Sequence, residues 1–435
     1  MPDDPLQGIL RQHEAMQDVR RQSQAASAPS RSTAAGHGSL PAWVVPWHRP
    51  GSPGGSQVTG PHPRHDSVWR SAQLLVVLLA SGFLWMPSPA TAFGTIEGGG
   101  QHREHERITR AALACPAGGG SSGDCFEPKS SDQLAGHRTS FGAVGAPDRT
   151  EVSDSAAHCD DADHLEGGYP RTRAQATGRL LDCVEHLRGR FREAVNAAAG
   201  LLDDQAEVVG VEVDLGIDCV LDDGSEHRAK CETVEAFGRA LHGVQDFYSH
   251  SNWTDVADSS RPVGADNPPG LGLLAPSSVL DLSGAGSPAV PAALSTGCFV
   301  LNDRIPGVGA CQGRITHAGL NKDNGTVDPS TGSVTAPTTP RGQVADNFAR
   351  AVTGAIAESR HQWQEFRVAL EAGYGRSKAS VMICALTHDD PVNDCRRLWT
   401  VTVVLVISVG LICLVGTGFL VSRIRRRRGR LMRRG

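Results

Sequence analysis

The stretch Ala240-Leu-His-Gly-Val-Gln-Asp-Phe-Tyr-Ser-His-Ser-Asn-Trp253 has a ligand-type side chain at every fourth residue, at His242, Asp246 and His250. At about 100° per helical residue, these three side chains span about 80° of one helix face and can converge on one point or two adjacent points. The pattern predicts a central helix from Glu232 to Asn252. Apolar residues occupy its other side: Val234, Phe237, Leu241, Val244, Phe247 and Tyr248.

Imidazole and carboxylate groups at this spacing suit zinc, and the carboxylate can bridge two ions. Spacing alone leaves an alternative open, namely a solvated polar face on which His and Asp are held by ordinary hydrogen bonds.

The segments on either side predict a mainly α domain with long loops. Helical periodicity recurs at Glu104–Ala114, Arg171–Leu202 and Val344–Leu370, whereas strand-like alternation is confined to Val208–Val220. Two stretches rich in Pro, Gly, Ser and Thr, at 254–297 and 324–342, are predicted as loops.

A secretory signal peptide is predicted at residues 67–92. A basic flank precedes an apolar run from Ala72 to Trp85, which ends before the small-residue site Ala90-Thr91-Ala92. The apolar core is too short to span a bilayer, so we predict cleavage and a mature chain that begins at Phe93. Residues 1–66, poor in large apolar side chains, are predicted to be disordered or not translated.

A transmembrane helix is predicted at residues 398–422, where no residue is charged and Val, Leu, Ile and Gly dominate. Eight arginines follow between Arg423 and Arg434, and the positive-inside rule places this basic tail, 423–435, in the cytoplasm. The sequence therefore predicts a single-pass protein of the cell membrane whose main domain, 93–397, is extracytoplasmic.

Cysteine usage agrees with an oxidising compartment. Ten of the eleven cysteines lie in the predicted outer domain, and Cys413 lies in the predicted span. An even number in such a compartment indicates disulfides, and no CxxC pair favours thiolate metal ligands. Sequence leaves the connectivity open. Pairing neighbours gives Cys115 with Cys125, Cys159 with Cys183, Cys219 with Cys231, Cys298 with Cys311, and Cys384 with Cys395.

Net charge limits the partners. The whole chain carries −5; seven arginines against five acids give +2 to residues 1–92, and the tail adds +8, which leaves −15 for residues 93–422. We expect no nucleic-acid partner for such a surface. Bound dications would still make a site locally electropositive.

The run at 242–253 resembles the central helix of HET-C and CinY-type proteins, distant relatives of zinc-dependent phospholipase C and the zinc nucleases. Three further segments are similar to the same group, so the resemblance covers roughly residues 93–370 and implies a phospholipase C/nuclease-like helical domain. These segments are His105-Glu-Arg-Ile-Thr109, Asp154 with His158-Cys-Asp160, and Thr316-His-Ala-Gly-Leu-Asn-Lys-Asp323.

The resemblance also implies a ligand set. In the phospholipase C relatives the mature N-terminus binds metal through its amino nitrogen and carbonyl oxygen, and His and Asp side chains complete a three-zinc cluster. Asp154 matches the acid beside the attacking water and is implied as general base. By position, the implied metal ligands are Phe93, His105, His158, His242, Asp246, His250 and His317, and Asp323 is predicted as a further ligand near the position of the relatives' last acid.

Two departures bear on the number of ions. Only three residues separate Asp246 from His250, where the relatives have a longer gap, and Asn321 stands where they have an acid, with Asp323 two positions later. We therefore expect two or three zinc ions. The nearby acids Asp160, Asp161 and Asp163 either orient the ligating imidazoles or are solvated.

These observations lead to alternative functions. The first is a membrane-anchored, zinc-dependent phosphoesterase of phospholipase C type, acting on phospholipid or another phosphodiester. The second is a non-catalytic HET-C-like surface protein in cell contact or recognition, with structural metal and a cell-surface partner that the sequence does not identify. A third is a disulfide-stapled adhesin whose histidines bind nothing.

Overall fold

The residues that a computed structural model describes, 93–98, 100–222, 227–299 and 311–395, form a mainly α fold, which confirms the predicted class. They lie in one compact unit. The helices are α1 (Glu104–Leu113), α2 (Pro128–Ala135), α3 (Pro147–Thr150), α4 (Arg173–Ala197), α5 (Ala229–His250), α6 (His317–Leu320), α7 (Asn347–Tyr374) and α8 (Arg376–Thr387).

Two antiparallel hairpins and two short 3-10 helices, Ala198–Leu201 and Gly210–Glu212, complete the regular structure of these ranges. Strand β1 (Glu97–Gly98) pairs with β2 (Gln101–His102), and β3 (Thr326–Val327) pairs with β4 (Val334–Thr335). Each strand of the two hairpins is only two residues long. The helices therefore provide the framework that positions the functional side chains.

Helix α5 is the centre of the fold and packs against α4 and α7. Every residue of α5 except Glu232 is buried, so both its apolar side and its His/Asp side face the interior. Two glycines permit the close packing. A Cβ on Gly238 would lie 2.3 Å from Cβ of Ala143, and one on Gly243 would lie 2.5 Å from the carbonyl oxygen of Ala157.

The two long flanking helices have clear sequence origins. Thr172 and Gln175 form a capping box at the start of α4, which satisfies backbone N–H groups that would otherwise be unpaired. Helix α7 ends at Gly375, whose φ of 79° is readily adopted by glycine. Its Gly354 lies against the ring of Tyr248 on α5.

The predicted long helices are present, with shifts of a few residues at their ends. The predicted strand at Val208–Val220 is wrong: this segment contains the 3-10 turn Gly210–Glu212 and otherwise irregular chain. Val211 and Ile217 are 73% and 75% exposed, whereas Val213 is buried. Val213 anchors an otherwise irregular segment to the core.

All five disulfides predicted by pairing neighbours are present. Their Cα–Cα distances run from 4.9 to 5.8 Å, the usual range for the bond. Five such bonds fit a protein of an oxidising, extracytoplasmic compartment. Cys159 follows directly on a candidate ligand, so one of these bonds fixes the segment at 158–160 to α4.

Several predictions concern residues outside the described ranges: the N-terminal extension, the signal peptide, the span at 398–422 and the basic tail. Within the described ranges, no helix combines the length and apolar character needed to cross a membrane.

Candidate metal site

The structure brings three separate segments together around the last three turns of α5. His242, Asp246 and His250 all project from the same face of this helix, and all three are fully buried. The partners that surround them come from α1 (His105), from α3 and the chain that follows it (Asp148, His158, Asp160), and from α6 and its exit (His317, Asp323).

The first cluster is centred on Asp246 and uses both of its carboxylate oxygens. Oδ2 lies 3.0 Å from Nε2 of His242 and 2.9 Å from Nδ1 of His158. Oδ1 lies 3.2 Å from Nε2 of His105. Asp148 adds a further oxygen, 3.7 Å from Nε2 of His242. One carboxylate thus faces imidazoles on two sides, the arrangement of a bridging ligand.

The second cluster lies one helical turn further along α5, around His250. Its Nε2 is 3.0 Å from Oδ1 of Asp323, and its Nδ1 is 3.3 Å from Oδ2 of Asp160. The same oxygen of Asp160 lies 3.0 Å from Nδ1 of His317, whose Nε2 is 3.7 Å from Asp323. Two imidazoles and two carboxylates therefore enclose one small volume.

Neighbouring groups fix the orientation of two imidazoles. Nδ1 of His242 lies 2.8 Å from the carbonyl oxygen of Val144, which can only accept a hydrogen bond, so in the neutral ring Nε2 carries the lone pair. Nδ1 of His105 lies 2.8 Å from Oε1 of Gln245, whose Nε2 donates to Thr109. In both residues the other ring nitrogen, Nε2, points to Asp246; hydrogen bonds of this kind commonly orient imidazoles that bind metal.

One test of whether these side chains fit a metal ion is whether they satisfy one another's hydrogen-bonding groups without an ion. Buried side-chain atoms normally have hydrogen-bond partners. Six atoms of the two clusters make no hydrogen bond and face other cluster atoms only at ion-pair distances, such as 3.2 Å between Nε2 of His105 and Oδ1 of Asp246 and 3.7 Å between Nε2 of His317 and Oδ2 of Asp323. The six are Nε2 of His105, Oδ1 of Asp160, Oδ1 of Asp246, Nδ1 of His250, Nε2 of His317 and Oδ2 of Asp323. Each is a nitrogen or oxygen of a type that binds divalent cations, so the clusters could hold metal ions.

Electrostatics keep the carboxylates ionised although burial opposes it. Burial raises the pKa of Asp246, but His242 and the other imidazoles outweigh this effect and hold its pKa well below the usual range. Burial likewise opposes ionisation of Asp160, and His250 and His317 together lower its pKa to about 2. Burial lowers the pKa of His242, which favours the neutral, metal-binding ring.

The structure places seven of the eight predicted metal ligands as side chains of these clusters. The eighth, Phe93, was predicted to bind through its backbone. Its ring is fully buried and meets the ring of His105 edge-on at 5.8 Å between centroids. Gly94 N donates to Glu104 and Gly94 O accepts from His105 N, so the predicted mature end lies beside the first cluster. Ligation by Phe93 stays a prediction.

Asp154, the predicted general base, lies apart from both clusters. Its side chain is 49% exposed, its Oδ2 is 3.8 Å from Nδ1 of His186, and its Oδ1 accepts from Ala156 N. The acid that the structure places beside His242 is Asp148 instead, six residues earlier. Asp154 follows a turn that begins at Glu151 and directs its side chain outward. Asp148 lies on α3, and the buried segment before this helix, Gly142–Ala146, holds α3 against α5.

Sequence reasoning missed Asp148 and left Asp160 undecided. A signal for Asp148 was present: the small-residue run Gly142–Ala146 predicts a segment packed closely on another backbone, and Asp148 is the first acid after it. Asp160 directly follows Cys159, whose disulfide restricts the backbone there. By contrast, Asp161 and Asp163 pair with Arg171 and Arg314 rather than with a histidine of the clusters.

Two other groups of ligand-type side chains in the described residues have a different explanation. In the group of Asp161, Asp163 and Cys298, the acids pair with arginines and the cysteine forms a disulfide with Cys311. Cys384, His388 and Cys395 are close together, but the two cysteines form a disulfide. Their sulfur atoms are therefore not thiolate ligands.

Comparisons of the chain with protein-family models, curated proteins and solved structures find no match. The case for a function therefore depends on the residues and their geometry.

Proposed function

We propose that the chain is an extracytoplasmic, zinc-dependent phosphodiester hydrolase of phospholipase C type, anchored in the cell membrane by residues 398–422. One observation carries the proposal: nitrogens and oxygens from four distant segments converge in the core, and six of them make no hydrogen bond there. Two or three zinc ions suit this donor set, because imidazole and carboxylate groups, without thiolates, surround two adjoining volumes.

Bound zinc would lower the pKa of a coordinated water and polarise a phosphoryl oxygen, which is the chemistry that phosphodiester hydrolysis needs. The protein's part is to hold the donors rigidly and to accept a proton. Asp148 is placed for the second task, because its side chain is 16% exposed while its Oδ1 lies 3.7 Å from the imidazole of His242. In this proposal Asp148 takes the role of general base in place of Asp154.

The substrate class follows from charge and location. The acidic balance of residues 93–422 disfavours a nucleic acid, and the predicted tether keeps the domain near lipid. Phospholipid head groups or related phosphodiesters are therefore the proposed substrates. Phe299, partly buried, lies near the rings of both His158 and His317 and offers an apolar surface beside the two clusters.

The test uses the zinc-loaded full chain with phosphatidylcholine vesicles and with bis(p-nitrophenyl) phosphate. His242→Ala should reduce turnover at least about 100-fold, and Asp148→Asn should reduce kcat while zinc remains bound. The control His137→Ala alters a surface histidine that pairs with Asp218 and should retain full activity. Turnover that survives His242→Ala, or a zinc-loaded wild type inert to both substrates, would contradict the proposal.

A specific observation favours a second candidate, a HET-C-like surface protein in cell contact whose metal is structural. Apart from Asp148, the side chains of both clusters are at most 5% exposed, as in closed structural sites. This candidate predicts that zinc binds and that its removal lowers Tm, while no phosphodiester is turned over. The same experiment therefore separates the two functions.

A further inference from the structure

A buried ionic group lies directly behind the second cluster, and the proposed chemistry does not use it. It consists of Lys322, Asp255 and Arg341, which are 0%, 0% and 4% exposed. Asp255 Oδ2 lies 3.3 Å from Nζ of Lys322 and 2.8 Å from Nε of Arg341. Removing such charges from water costs several kcal/mol per ion, so the position calls for an explanation beyond packing.

Lys322 connects the two chain segments that bear the ligands of the second cluster. Its Nζ donates to the carbonyl oxygen of Ser251 at 2.9 Å and to that of Leu320 at 2.7 Å. Ser251 directly follows His250 at the end of α5, and Leu320 ends α6, which begins at His317. A single ammonium group therefore binds the ends of two helices, each of which carries one histidine of the second cluster.

The backbone of Lys322 strengthens the same connection. Its N–H donates to Oγ of Ser249 at 3.3 Å, and Ser249 Oγ in turn donates to the carboxylate of Asp323. Asp323 is the residue after Lys322 and lies 3.0 Å from His250. The side chain and backbone of one residue thus fix Asp323, His250 and His317 relative to one another.

The other end of the ionic group is held in turn. Nη2 of Arg341 donates to the carbonyl oxygen of Pro268 at 2.9 Å, and Nη1 donates to Asn267 at 3.3 Å. Arg341 is therefore anchored to the long loop after α5, in which Asp255 also lies, and Lys322 has a fixed counter-ion. Metal sites need their ligands within about 0.5 Å of the productive geometry, a tolerance that a flexible junction between α5 and α6 would not meet.

We propose that Lys322 is a positioning residue of the second cluster: it sets the spacing between His250 and the His317–Asp323 segment, and so determines the affinity of that cluster for a divalent cation. The inference depends on the proposed metal site and on no catalytic step.

The experiment compares two buried lysines in the full chain, with Zn²⁺ and Co²⁺ as probes. Lys230, 1% exposed, donates to Ser130 and to the carbonyl oxygen of His388, and lies at the opposite end of α5. Lys230→Met therefore provides the matched control for the stability that is lost when a buried lysine is replaced. Asp255→Asn is a second variant, which keeps the shape of the group but removes the counter-ion.

We expect Lys322→Met to weaken one class of Zn²⁺ sites about 10- to 100-fold and to alter the Co²⁺ d–d spectrum, with the other class unchanged. Asp255→Asn should produce a smaller change in the same sites, and Lys230→Met should leave both classes and the spectrum as in the wild type. If Lys322→Met folds and keeps wild-type Zn²⁺ affinities, the inference is overturned. If Lys322→Met does not fold, wild-type affinities in Asp255→Asn overturn it. A wild type that binds neither ion would instead overturn the proposed metal site.

Discussion

At the scale of single residues, His242 shows how an imidazole is prepared to bind a cation. The carbonyl oxygen of Val144 fixes its Nδ1 as a donor, and Nε2 is then directed at Asp246 and His158. Burial lowers the pKa of His242, so the ring is neutral at physiological pH. The side chain therefore presents a lone pair to the interior of the cluster before any ion binds.

Gln245 provides a test of such orientation. Its Oε1 accepts from His105, and its Nε2 donates to Thr109 and to Ser359 at 3.2 Å. Because Gln245→Leu leaves the ring of His105 without its partner, we expect a 10- to 100-fold loss of zinc affinity, measured by competition with a chromophoric chelator.

Gln362→Leu is the control for this variant. Gln362 is also fully buried, but it binds Leu280 and Glu358 on and near α7. The control should lose stability and keep its zinc affinity. Equal zinc affinities in the two variants would mean that Gln245 does not orient a ligand.

The sequence predicted the stripe on α5 because a helix converts a spacing of four into one face, a purely local rule. It did not predict that Asp148 rather than Asp154 approaches His242, because neither acid lies in a segment with helical periodicity. Their direction depends on how Gly142–Ala146 packs on α5, which is a contact between segments about 100 residues apart.

At the scale of elements, the close approach of α5 to the chain before His158 controls the first cluster. A Cβ on Gly243 would lie 2.5 Å from the carbonyl oxygen of Ala157 and 2.6 Å from Cδ2 of Leu187. Gly243→Ala must therefore displace the backbone next to His158. We expect it to destabilise the protein by about 1–3 kcal/mol and to weaken zinc binding, measured by chemical denaturation and by chelator competition.

Gly189→Ala is the matched control, because it also replaces a glycine within a helix. It lies in α4, and no atom lies within 4 Å of the added Cβ. Since alanine loses less entropy than glycine in a helix, this variant should gain about 0.5–1 kcal/mol and bind zinc normally. A Gly243→Ala protein with wild-type stability and zinc affinity would show that the approach is not tight.

The disulfide between Cys159 and Cys183 ties the 158–160 segment to α4. Replacing both cysteines with serine should cost about 2–4 kcal/mol and weaken zinc binding, because His158 and Asp160 flank Cys159. The disulfide between Cys115 and Cys125 closes a loop that carries no ligand. Replacing these two cysteines with serine should therefore reduce Tm and leave the zinc affinity unchanged. Loss of affinity in both pairs would indicate a general effect of stability rather than a local one.

Helix prediction succeeded for elements with a long apolar period, such as α4, α5 and α7. It missed α2 and α8, which are 8 and 12 residues long and are stabilised by contacts rather than by pattern. Lys230 of α5, for example, joins Ser130 of α2 to the end of α8. Such contacts depend on tertiary structure and leave no periodic signal.

At the scale of the whole molecule, Lys230 links stability to pH. Burial lowers its pKa from 10.5 to about 7 in the folded protein. The unfolded chain therefore binds more protons between those two values, so this residue makes the free energy of unfolding rise with pH across that window, by up to about 1.4 kcal/mol per pH unit. Denaturation of wild type and Lys230→Met at pH 7, 8 and 9 measures the difference in slope.

The variant should show the shallower rise with pH, whatever its stability at pH 7. Other groups contribute to both slopes, but they cancel in the comparison. A wild-type slope that equals or falls below that of Lys230→Met would contradict the assignment of a low pKa to this lysine.

Metal content is the most direct measurement of the central claim that folding gathers distant imidazoles and carboxylates around cations. The purified full chain, equilibrated with zinc and then freed of unbound ion, is analysed for zinc per mole beside His242→Ala and His250→Ala. The account predicts two or three zinc ions in the wild type and a lower content in each variant, with His137→Ala unchanged. A wild-type protein without zinc, or variants that retain the full amount, would contradict it.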